Sequence, residues 1–200
     1  EADKMSLVGG YVYFPAINNK TQKTGLWRSN GTAEGTEEVT LCTGTTCYAA
    51  PQNFQTSANK LFFIATAADG KHALWTINSQ NKAVMFQAAS PEINSGERLK
   101  PYRDGVVLQT KTELWYADGT EEGSYAIKQP LNNNIVQAVA SDGDNMLIAT
   151  TDLFVIPQHG KAAGKKVEMG LLSNPRNFTV LQDKIFFTVT LKTANGQRLH

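Results

Sequence analysis

Apolar residues fall along this chain in short, dense runs separated by polar turns, and no stretch of useful length carries a helical spacing. Five runs share one look: residues 11–17 (YVYFPAI), 60–66 (KLFFIAT), 105–110 (GVVLQT), 145–150 (NMLIAT) and 184–190 (KIFFTVT). Each is entered through a turn rich in Gly, Asn or Asp. β-Branched and aromatic side chains pack well on a pleated surface, so these runs predict strands. Nearly every position is apolar, which predicts strands covered on both faces. A weaker run precedes each of them, at 5–8, 53–56, 99–102, 135–140 and 177–181.

A second pattern follows the strong runs. Residues 25–39 read GLWRSNGTAEGTEEV and residues 113–127 read ELWYADGTEEGSYAI. Both carry Leu-Trp, then Asn/Asp-Gly-Thr, an acidic step and Gly-Thr/Ser in the same order. Asn30-Gly31 and Asp118-Gly119 predict type I′ hairpin turns, which need positive φ at both central positions. Residues 36–41 and 124–128 then read as the returning strands. The unit is therefore four strands. Trp27, Trp75 and Trp115 mark three copies, Phe154 fills the slot next, and Leu199-His200 falls where a fifth begins. The period is about 40–50 residues, the spacing of four-stranded propeller blades.

These units predict an all-β fold: a β-propeller of four-stranded antiparallel blades, about four and a half of them in one domain spanning 1–200. The blades cover roughly 5–41, 53–88, 99–129, 135–169 and an incomplete 177–200. Because the fifth unit stops inside its third strand, the expectation is a partial ring of a larger propeller, completed by residues absent from this chain. Trp27, Trp75, Trp115 and Phe154 are expected to pack between blades. Gly31, Asp118 and Gly119 are expected to make turns.

Composition narrows the function. The net charge is +1, which argues against the concentrated basic face of a nucleic-acid binder. Lys161, Lys165 and Lys166 form the one basic cluster and read as a solvated turn. No apolar run has the length of a transmembrane helix. Cys42 and Cys47, in LCTGTTC, are the only cysteines. They predict a small-loop disulfide ahead of two free thiols or a partial metal site, and with it the periplasm or the cell exterior. Zinc would need two further ligands, and no other Cys or His stands nearby. Asn19-Lys20-Thr21, Asn30-Gly31-Thr32 and Asn177-Phe178-Thr179 match the N-glycosylation triplet but read first as turn residues. Asp142-Gly143-Asp144-Asn145 opens like a calcium loop, yet its downstream Glu is missing, and a hairpin turn is favoured.

The unit resembles the bacterial repeat written ELWxSDGTxxGT, preceded by a strand of LFFxA type. The residues that carry this are 25–39, 113–127, and 60–65 with Ala73-Leu74-Trp75. The fourth unit departs from it, with Phe154 in place of Trp and no Asp-Gly-Thr. The resemblance is to large secreted and surface proteins, including biofilm-matrix and adhesin-like proteins. It implies a β-propeller, export to the exterior or cell surface, and a scaffold or binding role. It transfers no catalytic residue and no cofactor, because the motif is structural. A sialidase Asp-box is also comparable at Ala117-Asp118-Gly119-Thr120, but there Trp follows the Asp, whereas Trp115 precedes it here.

Three functions follow in order. The first is a non-catalytic extracellular scaffold for adhesion, matrix or protein–protein contact, with a protein or an extracellular polysaccharide as partner. The second is a carbohydrate-binding, lectin-like propeller using exposed aromatics such as Tyr48 and Tyr102. The third is a propeller glycosidase of sialidase type, which would need paired carboxylates. Glu92, Glu97, Asp104 and Asp142 qualify by loop position only. Arg98, Arg103 and Arg176 stand near inter-blade linkers. Such linkers shape the binding face, so His72, Arg98, Tyr102 and Arg176 are candidate upper-face contacts.

Overall fold

The computed structural model describes residues 5–41, 49–78, 80–86, 93, 98–111, 113–128, 134–181, 184–192 and 198–199. Cys42, Cys47 and Tyr48 lie outside the described residues, and so do Glu92 and Glu97. The described residues form five antiparallel sheets and one short 3-10 turn at Gln158–Gly160.

Each sheet is a meander in which every strand lies beside its sequence neighbour. The first holds β1 (Ser6–Val8), β2 (Tyr11–Asn18), β3 (Lys23–Ser29) and β4 (Glu37–Val39). The second holds β5 (Gln52–Ser57), β6 (Lys60–Thr66), β7 (His72–Ile77) and β8 (Ala83–Met85). The third holds β9 (Arg98–Tyr102), β10 (Gly105–Gln109), β11 (Leu114–Ala117) and β12 (Tyr125–Ala126). The fourth holds β13 (Ala138–Ser141), β14 (Met146–Ala149), β15 (Leu153–Ile156) and β16 (Lys165–Lys166). The fifth holds β17 (Leu172–Leu181), β18 (Lys184–Lys192) and β19 (Arg198–Leu199). Repeated four-stranded meanders of this kind are propeller blades.

The chain divides into two compact units, residues 1–110 with 117–124 and residues 111–116 with 125–200. In the first unit, β1 lies beside β5 and β5 beside β9, so the first strands of successive blades are neighbours. Side chains alternate between the two faces of a strand. Leu61, Phe63 and Ala65 of β6, with Trp75 and Ile77 of β7, therefore share one face. They form a single buried cluster with Val8, Tyr13 and Leu26 of the first sheet. Phe62 and Ile64 take the other face, and residues 61–65 are all fully buried. Two-sided cover explains why KLFFIAT has no polar alternation. Each of its large side chains contributes about 1.5–3 kcal/mol on leaving water. The Leu-Trp marker now has a physical meaning: adjacent residues send one side chain to each face. Trp75 meets the preceding blade, and Leu26 meets the following one.

In the second unit, Ala140, Leu147 and Leu153 of the fourth sheet pack with Phe178 and Ile185 of the fifth. Phe154 is half-buried and stands opposite Ile148 and Lys166. Two expectations need correction. β17 starts at Leu172 rather than 177, because register shifts with Asn174 and Asn177 at positive φ carry the strand on. Two-sided cover also fails in β18: Phe186 is 54% exposed, while its counterpart Phe62 is at 0%.

Candidate functional site

The repeated motif builds a loop, and the loop is not the type I′ turn its Asn/Asp-Gly step predicts. Gly31 (φ +92) and Gly119 (φ +94) are at positive φ, but Asn30 and Asp118 are not. The chain crosses from β3 to β4, and from β11 to β12, through seven residues wired by their own side chains. Thr32 donates its N–H (3.1 Å) and O–H (2.9 Å) to Asn30 Oδ1. Thr120 does the same to Asp118 Oδ1, at 2.8 Å for both. Gly35 N–H donates to Thr32 Oγ1 and Gly123 N–H to Thr120 Oγ1, each at 3.0 Å. Thr36 and Ser124 close the loops by donating their hydroxyls to the carbonyls of Thr32 and Thr120. A side-chain acceptor two residues back offers the backbone an alternative to the tight turn, and the motif takes it. The second Gly is also explained: a Cβ at Gly35 would fall on the Asn30 side chain, and one at Gly123 on the Asp118 carboxylate.

Within the first unit, the third-to-fourth-strand turn of a blade leans on the blade before it. Asn81, in the second blade's turn, accepts from Tyr13 OH at Oδ1 (3.1 Å) and from Arg28 Nη1 at its carbonyl (3.2 Å). Asp118, in the third blade's loop, accepts at its carbonyl from Lys60 Nζ (2.7 Å), while Gly119 approaches Thr76. At both junctions a basic side chain of the earlier blade holds a turn carbonyl of the later one. In the second unit, Tyr125 OH donates to the His159 carbonyl (2.8 Å), and Lys161 lies over the Tyr125 ring (4.7 Å).

Arg28 joins several groups of the first unit. It lies over Tyr11 (4.7 Å to the ring centre), donates to Glu37, and lines a cleft of about 360 Å³ with Glu38, Asn81 and Lys82. The Glu37 hydrogen bond raises its already high pKa. Burial pushes the Tyr13 phenol above its ordinary value, with Arg28 opposing in part. Two of the guanidinium's faces are already committed, to a carboxylate and a turn carbonyl, so its geometry is that of a joint. The sequence singles out Arg98, Arg103 and Arg176 near inter-blade linkers, and not Arg28. Its partner Asn81 is remote in sequence, and no local pattern connects them.

The candidate upper-face residues are dispersed. His72 is half-buried at the start of β7, and Arg98 is exposed at the start of β9. Tyr102, 4% exposed, ends β9 at the opposite edge of its blade. A five-residue strand separates Arg98 from Tyr102 by about 13 Å. In the second unit, Arg176 is exposed within β17. Among the marker aromatics, Trp75 is buried and donates to the Ala65 carbonyl (3.3 Å), and Trp115 donates to Glu113 (3.0 Å). Trp27 is half-buried, and its indole N–H has no partner among the described residues. A second cleft, of about 520 Å³, is lined by Pro15, Thr24, Gln52, Asn53, Phe54 and Gln55, and its described lining holds no ionisable group. Among the described residues, no group of three or more His, Cys, Asp or Glu is gathered to hold a metal, and no helix is long and apolar enough to cross a membrane.

No protein-family model matches the chain, and no curated protein matches it significantly. Solved structures do. One is the β-propeller domain of the Trilobed protease from Pyrococcus furiosus, described as revealing an open velcro topology. It superimposes with a TM-score of 0.51 at 12% identity, over 92% of this chain and 64% of that one. The chain is a β-propeller in fold, and it spans less than two thirds of that structure's length.

Proposed function

We propose that this chain is a non-catalytic propeller scaffold that presents sheet faces to protein partners, in adhesion or matrix assembly outside the cell. The observation that supports this most is the engagement of the motif's own side chains. The oxygens of Asn30 and Asp118 and the hydroxyls of Thr32 and Thr120 are held by the loops they belong to. Residues held in this way keep shape. Exposed apolar side chains stand on separate sheets: Leu7 (71%) in β1 of the first unit and Phe186 (54%) in β18 of the second. Exposed apolar side chains of this size suit contact with further protein. The extracellular setting rests on the resemblance of the repeat.

A carbohydrate-binding role is the second reading, and the amide-bearing cleft at Gln52, Asn53 and Gln55 favours it. Amides and hydroxyls suit sugar hydroxyls. The experiment that separates the two measures binding of the purified chain to immobilised copies of itself and to neutral and acidic polysaccharides, with a parallel assay for reducing-sugar release. The scaffold reading expects self-association that Leu7→Asp or Phe186→Asp weakens, and no sugar release. Saturable polysaccharide binding weakened by Gln52→Ala would replace it with the second reading. Glycoside turnover would end both.

A further inference from the structure

We propose that Asn30 is a self-modification site: the folded loop promotes attack of the Gly31 amide nitrogen on the Asn30 side-chain amide, converting Asn30 to aspartate or isoaspartate with loss of ammonia.

The two motif loops share their wiring but differ where this chemistry needs groups. In the first, Gly31 N–H donates to Ser29 Oγ (3.1 Å), and Ser29 Oγ lies 2.7 Å from Thr36 Oγ1. Thr36 commits its single hydroxyl proton to the Thr32 carbonyl (2.6 Å). Ser29 is therefore the donor to Thr36, and its lone pair faces the Gly31 amide. The nitrogen that must become the nucleophile thus donates to a hydroxyl oxygen, Ser29 Oγ, which is placed to take its proton. In the second loop the residue in place of Ser29 is Ala117, and Asp118 replaces the amide.

The electrophile is prepared as well. Asn30 Oδ1 already accepts from Thr32 N–H and Thr32 O–H. That oxygen takes the negative charge when the Gly31 nitrogen adds to Cγ, so the two donors act as a preset oxyanion hole. Gly31 adds no side chain as a shield, and nothing lies within 4 Å of where its Cβ would be.

The steps balance without any oxidant. The Gly31 amide proton passes to water through the Ser29 hydroxyl, and the N–Cγ bond forms. The tetrahedral carbon collapses, the Cγ–Nδ2 bond breaks, and the nitrogen takes a proton and leaves as ammonia. Water then opens the cyclic imide at either carbonyl. The aspartate product reproduces Asp118, whose carboxylate makes the same two bonds. Isoaspartate puts an extra methylene in the backbone and draws the carboxylate away from Thr32. Either product cancels the formal net charge of +1.

The test incubates the whole chain at mildly alkaline pH, folded and in urea, as wild type, Ser29→Ala and Thr32→Val. Peptide mass spectrometry follows conversion at Asn30 and at Asn195, which also precedes a glycine. The second loop closes with alanine at the Ser29 place, so Ser29→Ala removes the proton acceptor and keeps the loop. Folded wild type is expected to convert Asn30 about tenfold faster than the urea-unfolded chain, the scale of modest oxyanion and proton-transfer assistance. Each variant should bring the folded rate down toward the urea rate, leaving the urea rates and Asn195 unchanged. A folded rate equal to or below the urea rate, or a folded Ser29→Ala rate matching wild type, would overturn the proposal.

Discussion

Asn30 of the first sheet and Asp118 of the third accept the same pair of hydrogen bonds, from the N–H and O–H of the threonine two residues on. An amide and a carboxylate fill one role, so the position requires an acceptor in the right place rather than a charge. Asp118→Asn should therefore leave the urea midpoint near wild type. Asp118→Ala should cost about 1–2 kcal/mol, the scale of two partly exposed hydrogen bonds lost together. Urea unfolding followed by tryptophan fluorescence checks both.

Phe62 and Phe186 hold equivalent places in Lys60-Leu61-Phe62-Phe63 and Lys184-Ile185-Phe186-Phe187, yet one is fully buried and the other 54% exposed. Phe62→Ala should cost about 3–5 kcal/mol, and Phe186→Ala about 0.5 kcal/mol or less. Thermal unfolding of the two variants side by side would show the difference.

Tyr13 gives a pH dependence with a definite sign. Burial raises its phenol above the ordinary 10.0. Well below pH 10.0 the group is neutral folded and unfolded, and its stabilising share is complete. As pH rises further, the unfolded chain loses the proton while the folded phenol keeps it, so stability falls until the folded value is passed. The stability gap between wild type and Tyr13→Phe should narrow above pH 10.0, measured by urea unfolding across that range.

Much of the fold was legible because the strands advertise themselves. The run at 60–66 is the strand Lys60–Thr66, and Leu74-Trp75 lies opposite Ile64 and Phe63 as the marker of a blade's third strand should. Three things were not legible. The Asn/Asp-Gly step suggested a tight turn, yet the threonine after it and the glycine three residues further on signalled a side-chain-wired loop in both copies. The Arg28–Asn81 and Lys60–Asp118 joints depend on which blade leans on which, and no local pattern encodes that. Cover on both faces follows from what lies beside a strand, so KIFFTVT reads like KLFFIAT while Phe186 stays exposed.

The motif's polar residues hold their own loop. A double-mutant cycle between Asp118 and Gly123 tests this most directly, because a Cβ at residue 123 would fall on the Asp118 carboxylate. Gly123→Ala is expected to cost about 1–3 kcal/mol in wild type, the usual scale of overpacking. The same change is expected to cost little once Asp118→Ala has cleared the space, giving a coupling of about 1 kcal/mol or more. An equal cost in both backgrounds would mean that the two residues do not meet, and the loop would not be wired as described.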